Sequence, residues 1–271
     1  MEYVRLLPKN TLSRFVGKVV RVKNPSWLAT AARDWFIERY KINIAEAEKP
    51  LSEYPSIGDL FIRKLKPGLR PVGEGIVHPC DANLTRAGQL ENGMILQAKG
   101  IEYSIQDLLK DPKAAETFAG GHYLTYYLCP TDYHRVHTPV EGEVTSIKHI
   151  PGRLWPVNPW SVENISQLFA INERLVFNLK TQYGPVALVM VGATNVGEIS
   201  VSFDPSIRTN VAGGEVSEKF YAPPVKLEKA QEVGIFHMGS SVVMLYPKGA
   251  IKTEPRLGPV KMGASLSHIE N

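Results

Sequence analysis

The chain has 271 residues, 44% of them hydrophobic and 21% charged, which suits a folded globular body rather than a disordered chain. Its two cysteines, Cys80 and Cys129, are too few for a disulfide framework and match no zinc spacing. A reducing compartment is the default, and no run of about eighteen uncharged apolar residues is present to span a bilayer. The formal charge of +4 is uneven: residues 1–42 hold nine Lys/Arg against three Asp/Glu, leaving −2 for the rest, so the basic end is expected to meet an anionic surface.

Residues 10–23 read as an amphipathic helix, with Leu12, Phe15, Val16, Val19 and Val20 at helical spacing and basic residues elsewhere on the wheel. A second helix is expected after Pro25, with Ser26 as N-cap and Leu28, Ala31, Ala32, Trp35 and Phe36 as its apolar stripe. Basic residues beside Trp and Phe describe helices lying in a membrane interface, or helices packed on the body. No nucleic-acid motif accompanies the charge, so nucleic acid is not an expected partner. A Pro-bearing connector over 49–55 leads to a short helix over 56–63.

Twenty prolines and twenty-two glycines favour many short strands beyond that point. Strands are expected over 82–87, 123–128, 142–150, 175–179, 186–191, 197–201 and 241–246, with short helical stretches over 104–110 and 161–169. The expected fold is α+β: an antiparallel β-sandwich or barrel-like body with N-terminal amphipathic helices. The division falls at 1–48 for the helical docking segment and 49–271 for the body. A faint echo joins His78-Pro79-Cys80-Asp81-Ala82-Asn83-Leu84 to Thr138-Pro139-Val140-Glu141-Gly142-Glu143-Val144, as a duplicated hairpin would, or chance.

Three stretches offer chemistry. In Phe236-His237-Met238-Gly239-Ser240-Ser241, apolar residues flank a small polar centre. It reads either as a buried strand with a glycine bulge or as a self-cleaving Gly239–Ser240 bond, glycine suiting a strained backbone. In Asp132-Tyr133-His134-Arg135-Val136-His137, two histidines three apart lack further metal ligands, so no metal is expected. They serve acid–base chemistry or are satisfied locally. Asp81 is either a surface turn residue or the group that orients a histidine.

Taken together, these stretches resemble the bacterial membrane-associated phosphatidylserine decarboxylases. The resemblance runs through Tyr126-Tyr127-Leu128-Cys129-Pro130-Thr131 into the two-histidine stretch, then Pro151-Gly152-Arg153-Leu154-Trp155-Pro156-Val157-Asn158. It continues in Leu168-Phe169-Ala170-Ile171-Asn172-Glu173-Arg174 and Val191-Gly192-Ala193-Thr194-Asn195-Val196-Gly197, and ends at Gly239-Ser240-Ser241. One departure is Cys80-Asp81-Ala82, where the family usually reads A-D-G. The resemblance implies autocatalytic cleavage at Gly239-Ser240 into a β chain, 1–239, and an α chain, 240–271. Ser240 becomes a covalent pyruvoyl cofactor, with His137, oriented by Asp81, as the base. Mature enzyme then converts phosphatidylserine to phosphatidylethanolamine and carbon dioxide, with His134 as proton donor to the substrate Cα. It further implies a homodimer of processed protomers held peripherally at the cytoplasmic face of the cell membrane, against anionic lipid. Two other readings predict an uncut chain: a non-catalytic lipid-surface or carrier module, and a serine hydrolase using Ser240, His137 and Asp81 directly.

Overall fold

Alternating and β-branched apolar residues form thirteen strands among the described residues. The computed structural model describes residues 17, 19–98, 100–194, 198–210 and 214–266. Eight strands make one antiparallel sheet: β1 (Ala82–Gln89), β4 (His122–Leu128), β6 (Gly142–Ile150), β7 (Arg174–Thr181), β8 (Gly184–Val191), β10 (Ser217–Leu227), β12 (Ser240–Tyr246) and β13 (Gly258–Val260). Their order is β10-β6-β7-β8-β12-β4-β1-β13, so β12 lies inside the sheet between β8 and β4. All seven β12 residues are buried, which fits a run apolar on both faces.

The sheet is open, and the expected barrel-like closure is not formed: β10 and β13 stand at opposite ends of the order. A smaller sheet packs over it, made of β5 (Arg135–His137), β11 (Glu232–Phe236) and β9 (Ile199–Val201) in the order β5-β11-β9. The approach is close at Gly234, where a Cβ would lie 2.9 Å from the Met190 sulfur. β2 (Met94–Ala98) and β3 (Ile101–Ser104) form a hairpin at the side.

The sequence echo is structural. Val77 donates its amide to Pro139 O at 3.0 Å, and His137 donates to Pro79 O at 2.8 Å, so the two segments pair reciprocally. Each then enters a strand with a bulge at the same place, between Leu84 and Arg86 and between Val144 and Ser146. The bulged threonines make matching bonds, Thr85 Oγ1 to Thr125 O and Thr145 Oγ1 to Asn178 O. In the sheet β6-β7-β8 answers β1-β4-β12 about the β8–β12 boundary. In one half β7 and β8 are joined by a tight turn that pairs Thr181 with Gly184. In the other half the equivalent pair is Leu128 with Ser240, and residues 129–239 intervene. Ser240 thus stands where the other repeat has its hairpin turn.

The helix expected over 10–23 lies mostly outside the described residues. The second forms as α1 (Ser26–Tyr40), but Pro25 holds the N-cap position and Ser26 is the first helical residue; of the expected stripe Phe36 is buried, while Leu28, Ala31 and Trp35 are exposed. Ala29 and Arg33 join Phe36 on the buried face, because Arg33 Nη1 donates to Leu51 O and Tyr54 O at 3.0 and 2.8 Å and turns that face inward. Trp27 and Trp35 are left outward, 71% and 60% exposed, with Leu28 beside them. α2 (Ile57–Phe61) is capped as its sequence requires, Ser56 Oγ accepting from Asp59 N at 3.1 Å. Phe36, Ile42, Ala47, Tyr54, Leu60 and Phe61 make a satellite core on both sides of the 48/49 division, and Met238 packs against it and against the main core.

Four short α-helices, α3 (Ile105–Leu109), α4 (Ala114–Thr117), α5 (Pro159–Asn164) and α6 (Leu168–Ile171), and two single-turn 3-10 helices, Ile44–Glu46 and Leu51–Glu53, complete the described elements. Arg174, almost fully buried, donates to Leu108 O, Asn172 O and Asp107 O and braces α3 against β7.

Candidate active site

Ser240 is the first residue of β12 and is fully buried. Ladder pairing places it opposite Leu128, and its Oγ has no hydrogen-bond partner among the described residues. Thr125, Ser161 and Tyr246 also bury hydroxyls without a partner among the described residues; Ser240 differs from them in directly following Gly239 and lining a cavity with it. Gly239 and Ser240 line a cavity of about 180 Å³ together with Phe36 and Tyr40 of α1, Phe61, Leu128 and the 156–158 loop. Across Tyr127 and Val157 a second cleft, about 290 Å³, reaches Ser241.

His134 is fully buried and its ring lies against Phe61, the centroids 3.9 Å apart. Its Nδ1 is 2.9 Å from Asp132 O, and since a carbonyl only accepts, Nδ1 carries the proton. Nε2 is therefore a bare lone pair, buried without a partner among the described residues. Its pKa is pushed down to about 3, chiefly by burial and also by Arg63, with the Asp132 carbonyl and the Asp81 charge opposing. His137 is also proton-bearing at Nδ1, which donates to Ala230 O at 2.8 Å. Its Nε2 accepts from Tyr133 Oη at 3.2 Å, and burial holds its pKa below the usual imidazole value.

Asp81 is nearly fully buried, but it does not bond His137. Arg70 grips its carboxylate through Nε at 2.9 Å and Nη2 at 2.5 Å; Met262 N and Lys261 Nζ add bonds at 2.9 and 3.1 Å. Burial alone would raise its pKa, but the Arg70 and Met262 hydrogen bonds outweigh it and the net displacement is downward. The orienting bond expected between Asp81 and His137 is thus replaced: a bidentate arginine and a backbone amide are stronger claims on the carboxylate. Asp81 still bears on His137 through its charge and through the Pro79 carbonyl that holds the His137 amide.

Arg63, Arg70 and Tyr133 are site residues that the sequence reading passed over. Arg63 lay inside an ordinary short helix, Arg70-Pro71 looked like a turn, and only Tyr133 sat within a stretch already marked for chemistry. The Trp155–Asn158 loop is positioned by Asn172, which accepts from Trp155 N and donates to Trp155 O and Gly192 O.

The depressed histidines make stability depend on pH. His237, whose Nε2 is 2.9 Å from Ser200 Oγ, is held near 4, chiefly by burial. A buried neutral imidazole takes up its proton more readily in the unfolded chain, so stability is full above about pH 6.5 and is lost as pH falls toward the folded values. For uncut Ser240→Ala protein, urea denaturation should show about 3 kcal/mol less stability at pH 5.5 than at 7.5 from His134 and His237 together. His134→Gln should remove roughly half of that difference.

A buried serine at the head of a central strand, with buried imidazoles on a neighbouring segment, marks an α+β fold that carries the groups of an enzyme site. The family model for phosphatidylserine decarboxylase matches residues 57–268. A phosphatidylserine decarboxylase proenzyme of Anaeromyxobacter sp. (strain K) is 45% identical, covering 97% of this chain and 95% of its own. Those of Myxococcus xanthus (strain DK1622) and Vibrio cholerae serotype O1 are 43% and 40% identical, over 91% and 97% of this chain and 88% and 95% of their own. The chain belongs to the phosphatidylserine decarboxylase family.

Proposed function

We propose that the chain cuts itself between Gly239 and Ser240, converts Ser240 to pyruvoyl, and decarboxylates phosphatidylserine to phosphatidylethanolamine. The observation that carries this reading is the buried, unpartnered Ser240 hydroxyl directly after Gly239 at the head of β12, in a chain of this family. In maturation His137 releases Tyr133, accepts the Ser240 proton at Nε2, and the oxygen attacks the Gly239 carbonyl. The peptide C–N bond breaks as the ester C–O bond forms. Elimination then frees the Gly239 carboxylate, and hydrolysis of the remaining enamine consumes water and releases ammonia.

The residues fit the group so formed: glycine leaves room before it, pairing with Leu128 of β4 holds it, with the β8 ladder starting one residue on, and no cation or carboxylate lines its cavity among the described residues. A pyruvoyl ketone supplies the electron sink that the ordinary side chains lack. His134 holds and moves the proton for the substrate Cα at Nε2. Its depressed pKa makes any proton it carries a readily given one. Phe61, lying against its ring, keeps water from that face. Intact mass under denaturing conditions tests the reading: two species split after Gly239 support it, and a single chain after prolonged folding overturns it.

The membrane role rests on α1. Trp27 and Trp35 face outward, while Phe36 and Tyr40 of the same helix line the Ser240 cavity, so a helix lying in the interface would set that cavity at the lipid surface. No helix among the described residues is long and apolar enough to cross a membrane. Trp27→Ala/Trp35→Ala should lower sedimentation with anionic phospholipid vesicles by roughly tenfold or more. Activity on a short-chain, water-soluble substrate should stay near wild type, which a folding defect would not allow.

A further inference from the structure

Arg63 follows α2, is 4% exposed, and buries a guanidinium with little to satisfy it. Its Nη2 donates to Thr131 O at 3.1 Å and to Asp132 O at 3.4 Å. Its Nε and Nη1 are buried without a hydrogen-bond partner among the described residues. No carboxylate lies within ion-pair distance of it among the described residues, and Glu46, Asp81 and Asp132 offset its burial only through longer-range charge. Such a cation carries a desolvation cost that burial of an apolar side chain would avoid, so its retention needs a reason.

The reason lies in what the Asp132 carbonyl does. That oxygen also accepts from His134 Nδ1 at 2.9 Å, so Arg63 and His134 share one acceptor. Arg135 completes the clasp from the other side, its Nε and Nη2 donating to Ile62 O at 3.0 and 2.8 Å. Ile62-Arg63 and Thr131–Arg135 therefore exchange guanidinium–carbonyl bonds in both directions, and Phe61, next in the chain, covers the His134 ring. Phe61 backs the imidazole, while Ile62 and Arg63 hold the segment whose Asp132 carbonyl sets its tautomer.

We propose that Arg63 is a positioning residue that holds His134, through the Asp132 carbonyl, with Nε2 aimed at the substrate carbon that receives the proton. The proposal rests on the reading of His134 as the group that delivers that proton. Its chemical consequence is specific. After carbon dioxide leaves, two carbons share the electron pair: the substrate Cα and the carbon of position 240. A proton on the substrate carbon, followed by uptake of one water, releases the ethanolamine lipid and restores pyruvoyl. A proton on the other carbon, again followed by one water, leaves the nitrogen on position 240 as alanine and releases the lipid as an aldehyde. A well-held His134 suppresses the second outcome.

The test is Arg63→Gln and Arg63→Lys, each matured, turned over on phosphatidylserine vesicles, and analysed for alanine at position 240 by mass and by a free α-amino group. Maturation itself reports that each variant has folded. Arg63→Gln should lose decarboxylation roughly tenfold, as removal of a supporting hydrogen bond to a site group does, and should gain several-fold in alanine formed per turnover. Arg63→Lys keeps a charged donor and should fall between Gln and wild type in both. Lost activity with wild-type partition in both variants would mean that Arg63 only supports the fold, and the proposal fails. Should Arg63→Gln not mature, the Lys variant decides by the same partition. His134→Ala separates the two levels: if it decarboxylates with wild-type partition, the reading of His134 is wrong. If it alone raises alanine and the Arg63 variants do not, only the positioning role is wrong.

Discussion

Ser240→Ala should remain a single chain of 271 residues under denaturing conditions, with no decarboxylation, while the wild type separates into residues 1–239 and 240–271. The substitution removes one oxygen atom that makes no hydrogen bond, from a residue that is already fully buried. A purely structural serine at this place would therefore be replaced by alanine at little cost, and the variant should fold at least as stably as the precursor. Its loss of cleavage would then be chemical. Native mass or size exclusion would show less, because β12 is paired along both edges and stays in place when its N-terminal bond is cut. Val242, Val243, Met244 and Leu245 are fully buried, and at about 1.5–3 kcal/mol each their burial alone contributes roughly 6–12 kcal/mol toward holding the short chain. A wild type that stays uncut would return the choice to the hydrolase and carrier readings, and labelling of Ser240 by a serine-reactive phosphonate would separate those.

The long strands were legible because their signal is local. Val186–Val191 and Val242–Tyr246 are apolar on both faces, which only a strand inside a covered sheet needs. β10 escaped the reading because its residues are mostly exposed and Pro223-Pro224 interrupts the pattern. β13 is three residues at the opposite end of the sheet, too short to carry periodicity. In α1 the buried face departs from the expected stripe, Phe36 apart, for a different reason. Arg33 reads as solvent-facing by type, yet two carbonyls from the 51–54 turn satisfy it inside, and the tryptophans take the outside. The same limit hid Arg63 and Arg70: a buried arginine looks like a surface arginine until its long-range acceptors are known. The echo between 78–84 and 138–144 was faint in side chains but complete in backbone, since reciprocal amide bonds and matched bulges leave little trace in residue type.

His137→Ala and His134→Ala should fail at different stages. His137→Ala should slow cleavage by roughly a hundredfold or more and accumulate uncut precursor, the loss expected when a general base is removed. His134→Ala should cut at a rate near wild type and then decarboxylate roughly a hundred- to ten-thousandfold more slowly. The environments of the rings support the division. His137 keeps its Nε2 within 3.2 Å of a hydroxyl that can let go, next to Asp81 and Glu232, whose negative charges favour a proton on the ring, with Arg135 opposing them. That is an imidazole able to become charged for a moment, as the base in serinolysis must. His134 has no carboxylate hydrogen-bonded to it among the described residues, rests on Phe61, and is held by burial at a pKa of about 3. A proton placed there is held only briefly, which suits delivery to carbon. Because burial lowers the His137 pKa, the base form is already populated below the ordinary imidazole value. Maturation should accordingly keep its rate through neutral pH and fall to half only below the ordinary imidazole value of about 6.5. A cleavage rate that halves already near pH 7 would place the controlling group elsewhere. Uncut precursor in His134→Ala together with normal cutting in His137→Ala would reverse the two roles.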